Sequence, residues 1–294
     1  MRRCVSIALA LIMGSCVVIA EQPQLSGAFF WIQATSSIGT GTWAIWVDPN
    51  DLDPCAPMVE YDLMSPIPLS TSGGTLVATL INCNMYVQQS SGGPQITVNF
   101  GVAAANANTT FTARTATLNL PHTIRAADAF IRYSGTVTVT DANGNGANAL
   151  GTGAIGTGIC RAFAPATQRI SDLVAFVAVS GGGTVSGNQN DPQFGFRALG
   201  HDYKSLKNEM SFILTAGDVC FVSSDFGAMQ VDVCVGDFND NGVIDQADLT
   251  MQLITLGSCE GDANYHDILD FDADGCLMLQ DLSGLLSAFG TSCP

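Results

Sequence analysis

Basic residues and histidines are scarce in this chain. Its 294 residues include 10 Lys and Arg and 3 His, against 26 Asp and Glu. The formal net charge of -16 repels phosphate backbones and argues against a nucleic-acid partner. No Lys or Arg follows Cys220, whereas half of the acidic residues do. The C-terminal part of the chain therefore favours the binding of cations.

Catalytic motifs are also missing. No Gly-x-Ser-x-Gly or His-Glu-x-x-His sequence occurs, and no motif surrounds any of the histidines. The paired carboxylates of a glycosidase meet in space rather than in sequence. Glu60, Asp62 and Glu209 are the candidates for such a pair. The sequence therefore assigns no catalytic residue and argues weakly against an enzyme.

Long apolar runs are confined to the first twenty residues. Arg2 and Arg3 precede an apolar stretch at 5–20 that ends in small residues before Glu21, which predicts a secretory signal peptide at 1–20. Cys16 also permits lipoprotein cleavage, although the apolar residues after it suit a continuing signal sequence. No later run reaches the ~20 residues that span a bilayer. We expect a product without a membrane span, secreted, extracellular, periplasmic or held on the cell surface.

The cysteines fit this expected location. Cleavage after residue 20 leaves an even number of them in an oxidising compartment, so disulfides are expected. The sequence does not choose among the pairings. The cysteines that remain after cleavage are Cys55, Cys83, Cys160, Cys220, Cys234, Cys259, Cys276 and Cys293.

Residues 21–233 show the pattern of a β domain. Apolar and polar residues alternate in many short segments that Gly, Pro and Asn clusters separate. Without helical periods between them, these segments predict an antiparallel β-sandwich of jelly-roll type. A single helical turn is predicted at 201–208. The predicted strands are 28–33, 42–47, 75–82, 95–100, 109–120, 135–140, 172–179, 210–215, 219–223 and 229–233.

Aromatic residues of this domain have two interpretations. Trp31, Trp43, Trp46 and Tyr61 either line a sugar-binding face or pack in the core. Trp43 and Trp46 are an odd number of residues apart and point to opposite faces of one strand. This spacing excludes a single platform and favours packing in the core.

The segment 234–294 contains a duplicated loop. Asp237 to Asp248 place oxygen-bearing side chains at positions 1, 3, 5, 9 and 12 of a twelve-residue loop with Gly at position 6. The pattern returns from Asp270 to Asp281, where Met278 at position 9 leaves room for a water molecule. This is the EF-hand calcium pattern, in which position 7 contributes a backbone carbonyl. The predicted ligands of two Ca2+ ions are Asp237, Asn239, Asn241, Val243, Asp245 and Asp248 in loop 1, and Asp270, Asp272, Asp274, Cys276 and Asp281 in loop 2.

A short helix is predicted after each loop. Apolar residues at i, i+4 and i+7 predict an amphipathic face on each helix, and a glycine that suits a left-handed C-terminal cap follows. Apolar residues at position 8 predict that the two loops pair with each other in a short strand. The residues concerned are Leu249, Leu253, Leu256 and Gly257 after loop 1, Leu282, Leu286, Phe289 and Gly290 after loop 2, and Ile244 and Leu277 at position 8.

This duplicated loop-helix unit, without a helix before each loop, resembles the type I dockerin module. The matching segments are 237–249 and 270–282, and Asp at position 12 is a dockerin-like trait. The resemblance covers about sixty residues and implies calcium-dependent docking onto a cohesin domain. At positions 10 and 11, where dockerins often carry a Ser/Thr pair, this chain has Gln246-Ala247 and Leu279-Gln280. The four cysteines of 234–294 are atypical of the module and would staple it.

Three functions follow from the sequence. The leading hypothesis is a secreted calcium-binding protein in which 234–294 mediates attachment to a cohesin-like or cell-surface protein. The β domain then has a binding or structural role. The alternatives are a secreted polysaccharide-degrading enzyme, since dockerins are often carried by such enzymes, and a carbohydrate-binding module. Both alternatives have a polysaccharide as partner.

Overall fold

Two antiparallel sheets, packed face to face, form the larger part of the molecule. The computed structural model describes residues 24–46, 58–90, 93–126, 129–152, 158–230, 236–239, 241–272 and 274–292. The predicted signal peptide, the domain boundary near 233, and Cys55, Cys234 and Cys293 lie outside these residues. The strands are β1 Gln24–Ser36, β2 Gly39–Ile45, β3 Met58–Asp62, β4 Ile67–Ser70, β5 Leu76–Ser90, β6 Gly93–Ala104, β7 Thr109–Ile124, β8 Ala129–Asp141, β9 Ala147–Gly151, β10 Cys160–Phe163, β11 Arg169–Leu173, β12 Phe176–Val179, β13 Gly183–Asp191, β14 Arg197–Ala198, β15 Tyr203–Leu214 and β16 Val219–Gln230.

Some consecutive strands are neighbours in one sheet, and other consecutive strands lie in different sheets. The first sheet runs β11-β10-β15-β7-β1-β2, with β9 on β15 and β12 on β9. The second sheet runs β13-β8-β16-β6-β5-β3, with β4 on β5 and β14 on β8. The pairings between these strands are antiparallel. The predicted antiparallel β-sandwich is confirmed.

The core lies between the sheets and follows from the alternation in the sequence. Along β8 every second residue is buried, including Ile131, Tyr133 and Val137, and the alternate residues are more exposed. Phe30 of the first sheet contacts Phe100 of the second, with ring centroids 5.5 Å apart. Burial of one face of each sheet against the other is what stabilises a sandwich.

Three details of the sequence prediction are wrong. Residues 203–208 belong to strand β15 and do not form a helical turn. The predicted strand 172–179 is two strands, because Val174 between β11 and β12 has a left-handed φ of 55°. The predicted strands at 219–223 and 229–233 are one strand, β16, which is described as far as Gln230.

The two edges of the sandwich differ. At one edge β2 and β4 touch so closely that a Cβ atom on Gly41 would lie 2.5 Å from the Leu69 carbonyl carbon. At the opposite edge a cleft lies between residues 170–173 and residues 188–191. Hydrogen bonds such as that from Val174 N–H to the Gln189 side chain cross this edge. The edge at β2 and β4 is therefore closed by backbone contact, and the edge at β11 and β13 is bridged by side chains beside a cleft.

The buried cysteines of the sandwich do not form disulfides, contrary to expectation. Cys83, Cys160 and Cys220 are free and buried. Burial raises the pKa of the Cys83 and Cys160 thiols to about 12. These side chains act as small apolar residues of the core.

The C-terminal module has its own core. Its helices are α1 Gln246–Thr255 and α2 Leu279–Ala288, and a short 3-10 turn covers Asp267–Leu269. Ile244, Leu277 and Leu285 are buried together with Ile268 and Leu269 of this turn. The cluster is separate from the core of the sandwich. A core this small contributes little stability, so additional links are needed.

Candidate metal centre

Loop 2 brings three carboxylates together. One oxygen each from Asp270, Asp272 and Asp274 lies within 4.8 Å of the others. Oxygens that bind one calcium ion at 2.3–2.6 Å are at most about 5 Å apart. The acidic cluster therefore has the spacing that a hard cation requires.

Backbone amides hold the first position of each loop in place. In loop 1 the two carboxylate oxygens of Asp237 accept the N–H groups of Asn241 at 3.1 Å and Gly242 at 2.8 Å. In loop 2, Asp270 accepts the N–H of Gly275 at 2.9 Å. The turn therefore wraps around a carboxylate that is itself almost buried.

The other ligand positions of the loops form short local bonds. Asn239 and Asp272, at position 3, accept the N–H of position 5 at 3.0 and 3.3 Å. Asn241 and Asp274, at position 5, accept the N–H of position 7 at 2.9 and 2.8 Å. The same bonds recur in both loops, so the sequence duplication is a structural duplication.

Glycine at position 6 permits the turn. Gly242 has a φ of +83° and Gly275 a φ of +85°. The backbone of a residue with a Cβ atom is strained at such a φ, whereas that of glycine is not. The predicted need for a sharp turn at this position is met in both loops.

The carboxylate at position 12 closes each loop. Oδ1 of Asp281 accepts the N–H groups of Phe271 at 2.8 Å and Asp272 at 3.4 Å, and Oδ2 accepts that of Met278 at 2.6 Å. Asp248 forms the equivalent bonds in loop 1. Both carboxylates are fully buried in the first turn of a helix, where the helix dipole favours negative charge.

Position 9 differs between the loops. Asp245 caps α1, because its Oδ1 accepts the N–H of Ala247 at 2.7 Å, and its Oδ2 accepts a bond from the Asn241 amide at 3.3 Å. Met278 has no oxygen to offer in loop 2. Loop 1 therefore has one more oxygen-bearing side chain near the candidate site than loop 2 has.

The predicted pairing of the two loops with each other is wrong. Ile244 of loop 1 exchanges backbone hydrogen bonds with the segment 290–291 that follows α2. Leu277 of loop 2 exchanges them with the segment 257–258 that follows α1. Each loop is thus held by the chain that leaves the other half. Gly257 and Gly290 have the predicted left-handed φ, but their N–H groups donate to Leu277 and Ile244 across the module.

The predicted apolar helix face is correct only in part. Leu249 packs against the core of the module, but the fully buried side chains of α1 are Asp248, Gln252 and Thr255. Six apolar side chains at the helices instead face solvent, and several occupy equivalent places in the two halves. They are Leu253, Ile254, Leu256, Leu279, Leu286 and Phe289, which are 39–70% exposed.

A disulfide joins the halves, as expected for the cysteines of the module. Cys276, at position 7 of loop 2, is bonded to Cys259, which follows α1. The two residues also form an antiparallel bridge. At the equivalent place in loop 1, Val243 forms a bridge with Ser292 without a covalent link.

We expect Cys259→Ser and Cys276→Ser each to destabilise the module. The bond closes a loop with a sequence separation of 17, which limits the unfolded chain and stabilises the fold by about 2–3 kcal/mol. Denaturant unfolding with separate probes for strands and helices measures the loss. Val243→Ser is the matched control, since it alters the equivalent bridge and removes no covalent link. Equal unfolding midpoints for all four proteins would contradict the prediction.

Three contacts in the module are not visible in its sequence. The Tyr265 hydroxyl donates to Asp270 at 2.7 Å, and the buried Gln252 amide donates to the carbonyl of Leu269 at 3.1 Å. Arg125 of the sandwich donates to the carbonyl of Phe238 at 3.2 Å. The last contact joins the sandwich to loop 1. The loop motif does not predict these contacts, because the residues that form them lie far apart in sequence or outside the loops.

The candidate carboxylates of the sandwich do not form a facing pair. Glu60 and Asp62 lie on β3 in the second sheet, whereas Glu209 lies on β15 in the first. Glu209 forms ion pairs with Arg114 at 3.0 Å and with Arg161 at 3.3 Å. These three residues therefore do not build a glycosidase centre among themselves.

The tryptophans occupy different environments. Trp43 packs against the core beside Phe30 and Tyr61, with ring centroids 6.4 and 6.1 Å away. Trp31 is half-buried and lies against the guanidinium of Arg114. Core packing therefore holds for Trp43 but not for Trp46, which is 68% exposed.

Comparison with known proteins shows weak likenesses only. No family model matches the chain, and no curated protein matches it significantly. A carbohydrate-binding module solved in complex with beta-1,4-galactotriose is similar over 60% of this chain and 89% of that chain, with 14% identity and a TM-score of 0.25. An arabinose-bound α-L-arabinofuranosidase is similar over 55% of this chain and 24% of that chain, with 8% identity and a TM-score of 0.18. TM-scores this low do not distinguish one function from another.

Helices in the described part of the chain are short. None of them is long and apolar enough to cross a membrane.

Proposed function

We propose that the chain is a secreted calcium-binding protein whose dockerin-like C-terminal module attaches the β-sandwich to a protein partner. The observation that carries the proposal is the duplicated loop, in which the same backbone bonds hold ligand-type side chains at the same positions. The convergence of Asp270, Asp272 and Asp274 within 4.8 Å supports a metal in loop 2. The pattern of six to eight oxygens is typical of calcium.

Each loop would hold one ion. Asp237, Asn239 and Asn241 would serve loop 1, and the three aspartates would serve loop 2, with the carbonyls of Val243 and Cys276 completing the sets. A bound calcium ion would supply the positive charge that these acidic loops lack. Asp248 and Asp281 keep the loop ends together through their bonds to backbone N–H groups.

Attachment would use the exposed apolar side chains of the helices. Leu253 and Leu286 occupy the same place in the two halves and are about equally exposed, at 53% and 54%. Exposed apolar side chains grouped on one module are typical of surfaces that bind another protein. A cohesin-like domain is the partner that the dockerin resemblance implies. The exposed side chains suit a partner with an apolar contact surface.

Calorimetric titration of the full chain tests the calcium proposal. We expect uptake of two Ca2+ ions and much weaker uptake of Mg2+, which requires a smaller, octahedral set of ligands. Addition of a chelator should lower the melting temperature of the module, because ions that bind the folded state stabilise it. Absence of heat and of any shift in melting temperature at millimolar calcium would refute the proposal.

Attachment is tested separately with a recombinant type I cohesin domain. We expect a complex in calcium that disappears with chelator and weakens with Leu286→Asp. Calcium uptake without complex formation would leave the metal site standing and reject a cohesin as the partner.

A further inference from the structure

The edge of the sandwich at β11 and β13 contains a cleft of ligand size. Its volume is about 650 Å3, and β11 and β13 line its two sides. A second depression of about 280 Å3 shares Asn190 and Gln193 with it and continues toward β8 and β16. Together these two spaces are the edge cleft. Ligand sites in proteins are commonly ~300–1,000 Å3 in volume.

Amide side chains dominate the β13 side of the edge cleft. Asn188, Gln189, Asn190 and Gln193 line it, and each amide carries both hydrogen-bond donors and an acceptor. Most of β13 is exposed. This strand therefore contributes little to the core, and the exposed amides of Asn188 and Asn190 lie at the solvent side of the cleft.

Two of the three carboxylates that line the edge cleft are paired with arginines, and the third, Asp225, accepts a bond from the Gln95 amide at 2.6 Å. Arg169 lies 3.0 Å and Arg161 3.6 Å from Asp172, and the fork of Arg197 donates to both oxygens of Asp191 at 2.8 and 2.9 Å. Burial raises the pKa of Asp172 against the lowering effect of the two arginines. Arg132 and Asp225 also line the cleft and add one charge of each sign. The charges are therefore balanced, and the electrostatic field favours neither a metal cation nor a phosphate.

The same carboxylates still have acceptor capacity. Each carboxylate oxygen can accept more than one hydrogen bond. The side chains of Asp172 and Asp191 are partly exposed, at 21% and 28%. A ligand hydroxyl that enters the cleft would donate to these exposed oxygens.

The backbone beside the cleft is strained. Val174, at the end of β11, has a φ of 55°, and β-branched residues rarely adopt this conformation. Its N–H donates to the side-chain oxygen of Gln189 on β13, which fixes one amide of the cleft. Strain of this kind concentrates at functional sites, where the surrounding structure maintains it.

An aromatic ring borders the amides. Phe194 is 84% exposed and lines the depression that contains Asn190 and Gln193. An exposed ring alone is common on protein surfaces. Here it presents an apolar face beside groups that form hydrogen bonds in two directions.

The geometry points to a binding site for a neutral glycan chain in the edge cleft. Sugar hydroxyls both donate and accept hydrogen bonds and so match the amides of Asn190 and Gln193 and the arginine-paired carboxylates. The C–H face of a sugar ring would lie against Phe194. The balanced charge of the cleft selects an uncharged ligand over an acidic one. This site belongs to the sandwich and does not depend on the calcium module.

Affinity electrophoresis of the full chain tests this inference. Native gels would contain a neutral glucan, xylan, mannan or galactan, or acidic polygalacturonate as the charged comparison. We expect at least one neutral polysaccharide to retard the protein. Asn190→Ala and Phe194→Ala should each weaken the affinity about tenfold, which is the effect of one lost hydrogen bond or ring contact. Both side chains are exposed, so the thermal midpoint should not change.

Trp46→Ala is the control, since Trp46 is an exposed aromatic residue on β2's side of the sandwich, away from the edge cleft. It should leave the retardation unchanged. Three results would overturn the inference: no retardation by any neutral polysaccharide, retardation by polygalacturonate alone, or retardation lost in Trp46→Ala and kept in Phe194→Ala. Chelator in a parallel gel separates the two proposals, because loss of calcium should not abolish glycan binding.

Discussion

Asp281→Ala is expected to remove one of the two calcium sites and to loosen the module even without calcium. The Asp281 carboxylate is fully buried and accepts three backbone N–H groups. Alanine would leave these donors buried without partners, at about 1–3 kcal/mol for each. The expected loss is therefore at least about 3 kcal/mol in the stability of the module. Loop 2 would also lose the group that holds its ends together.

Calorimetry and denaturant unfolding measure the two effects. The stoichiometry of calcium should fall from two ions to one, and unfolding in chelator should shift to lower denaturant. Asp262→Ala is the control, because Asp262 is an exposed acid of the same module that accepts a single N–H, from Cys259 at 2.9 Å. Uptake of two ions by Asp281→Ala with unchanged affinity would show that position 12 is not part of a site.

Gly41→Ala should strongly destabilise the sandwich at its closed edge. The new Cβ would lie 2.5 Å from the Leu69 carbonyl carbon and 2.7 Å from the Ser70 nitrogen. Both atoms belong to the backbone of β4, which is paired with β5 and cannot rotate away as a side chain does. Overpacking typically costs 1–3 kcal/mol, and a rigid backbone places this variant near ~3 kcal/mol or above.

The matched control is Gly73→Ala, where the nearest atom to the added Cβ would be the Thr71 hydroxyl oxygen at 3.8 Å. Its φ does not lie in the left-handed region. The free energy of unfolding of Gly73→Ala should stay within a few tenths of a kcal/mol of that of the wild type. A Gly41→Ala protein as stable as the control would mean that the two sheets can separate at this edge at little cost.

The sequence predicts most of the strands and the architecture, because one face of each strand is buried. It fails where that alternation is interrupted. In β15, register shifts between Tyr203 and Ser205 and between Leu206 and Glu209 break the period of two, and the segment resembles a helical turn. Strand β13 is mostly exposed and gives no apolar signal. The edge cleft is therefore invisible in the sequence.

Of the predicted calcium ligands, the structure brings three carboxylates together, those of loop 2 at positions 1, 3 and 5. A twelve-residue loop folds around its own ligands, so the spacing of Asp270, Asp272 and Asp274 specifies their convergence. The outward face of the helices was not predicted, because amphipathic patterns assume that polar residues face water. In α1 the buried Asp248 and Gln252 instead bond to backbone groups inside the module, and Leu253 is left outside.

The exchange of backbone bonds between the halves bears on how such a module arises. Ile244 is held by the chain after α2, and Leu277 by the chain after α1. A single loop-helix unit would lack the segment that secures its loop. It would find that segment on a second copy of itself, in the manner of an isologous two-fold dimer. The duplicated chain is, in this sense, a homodimer whose subunits have been joined in one polypeptide, and neither half is a domain alone.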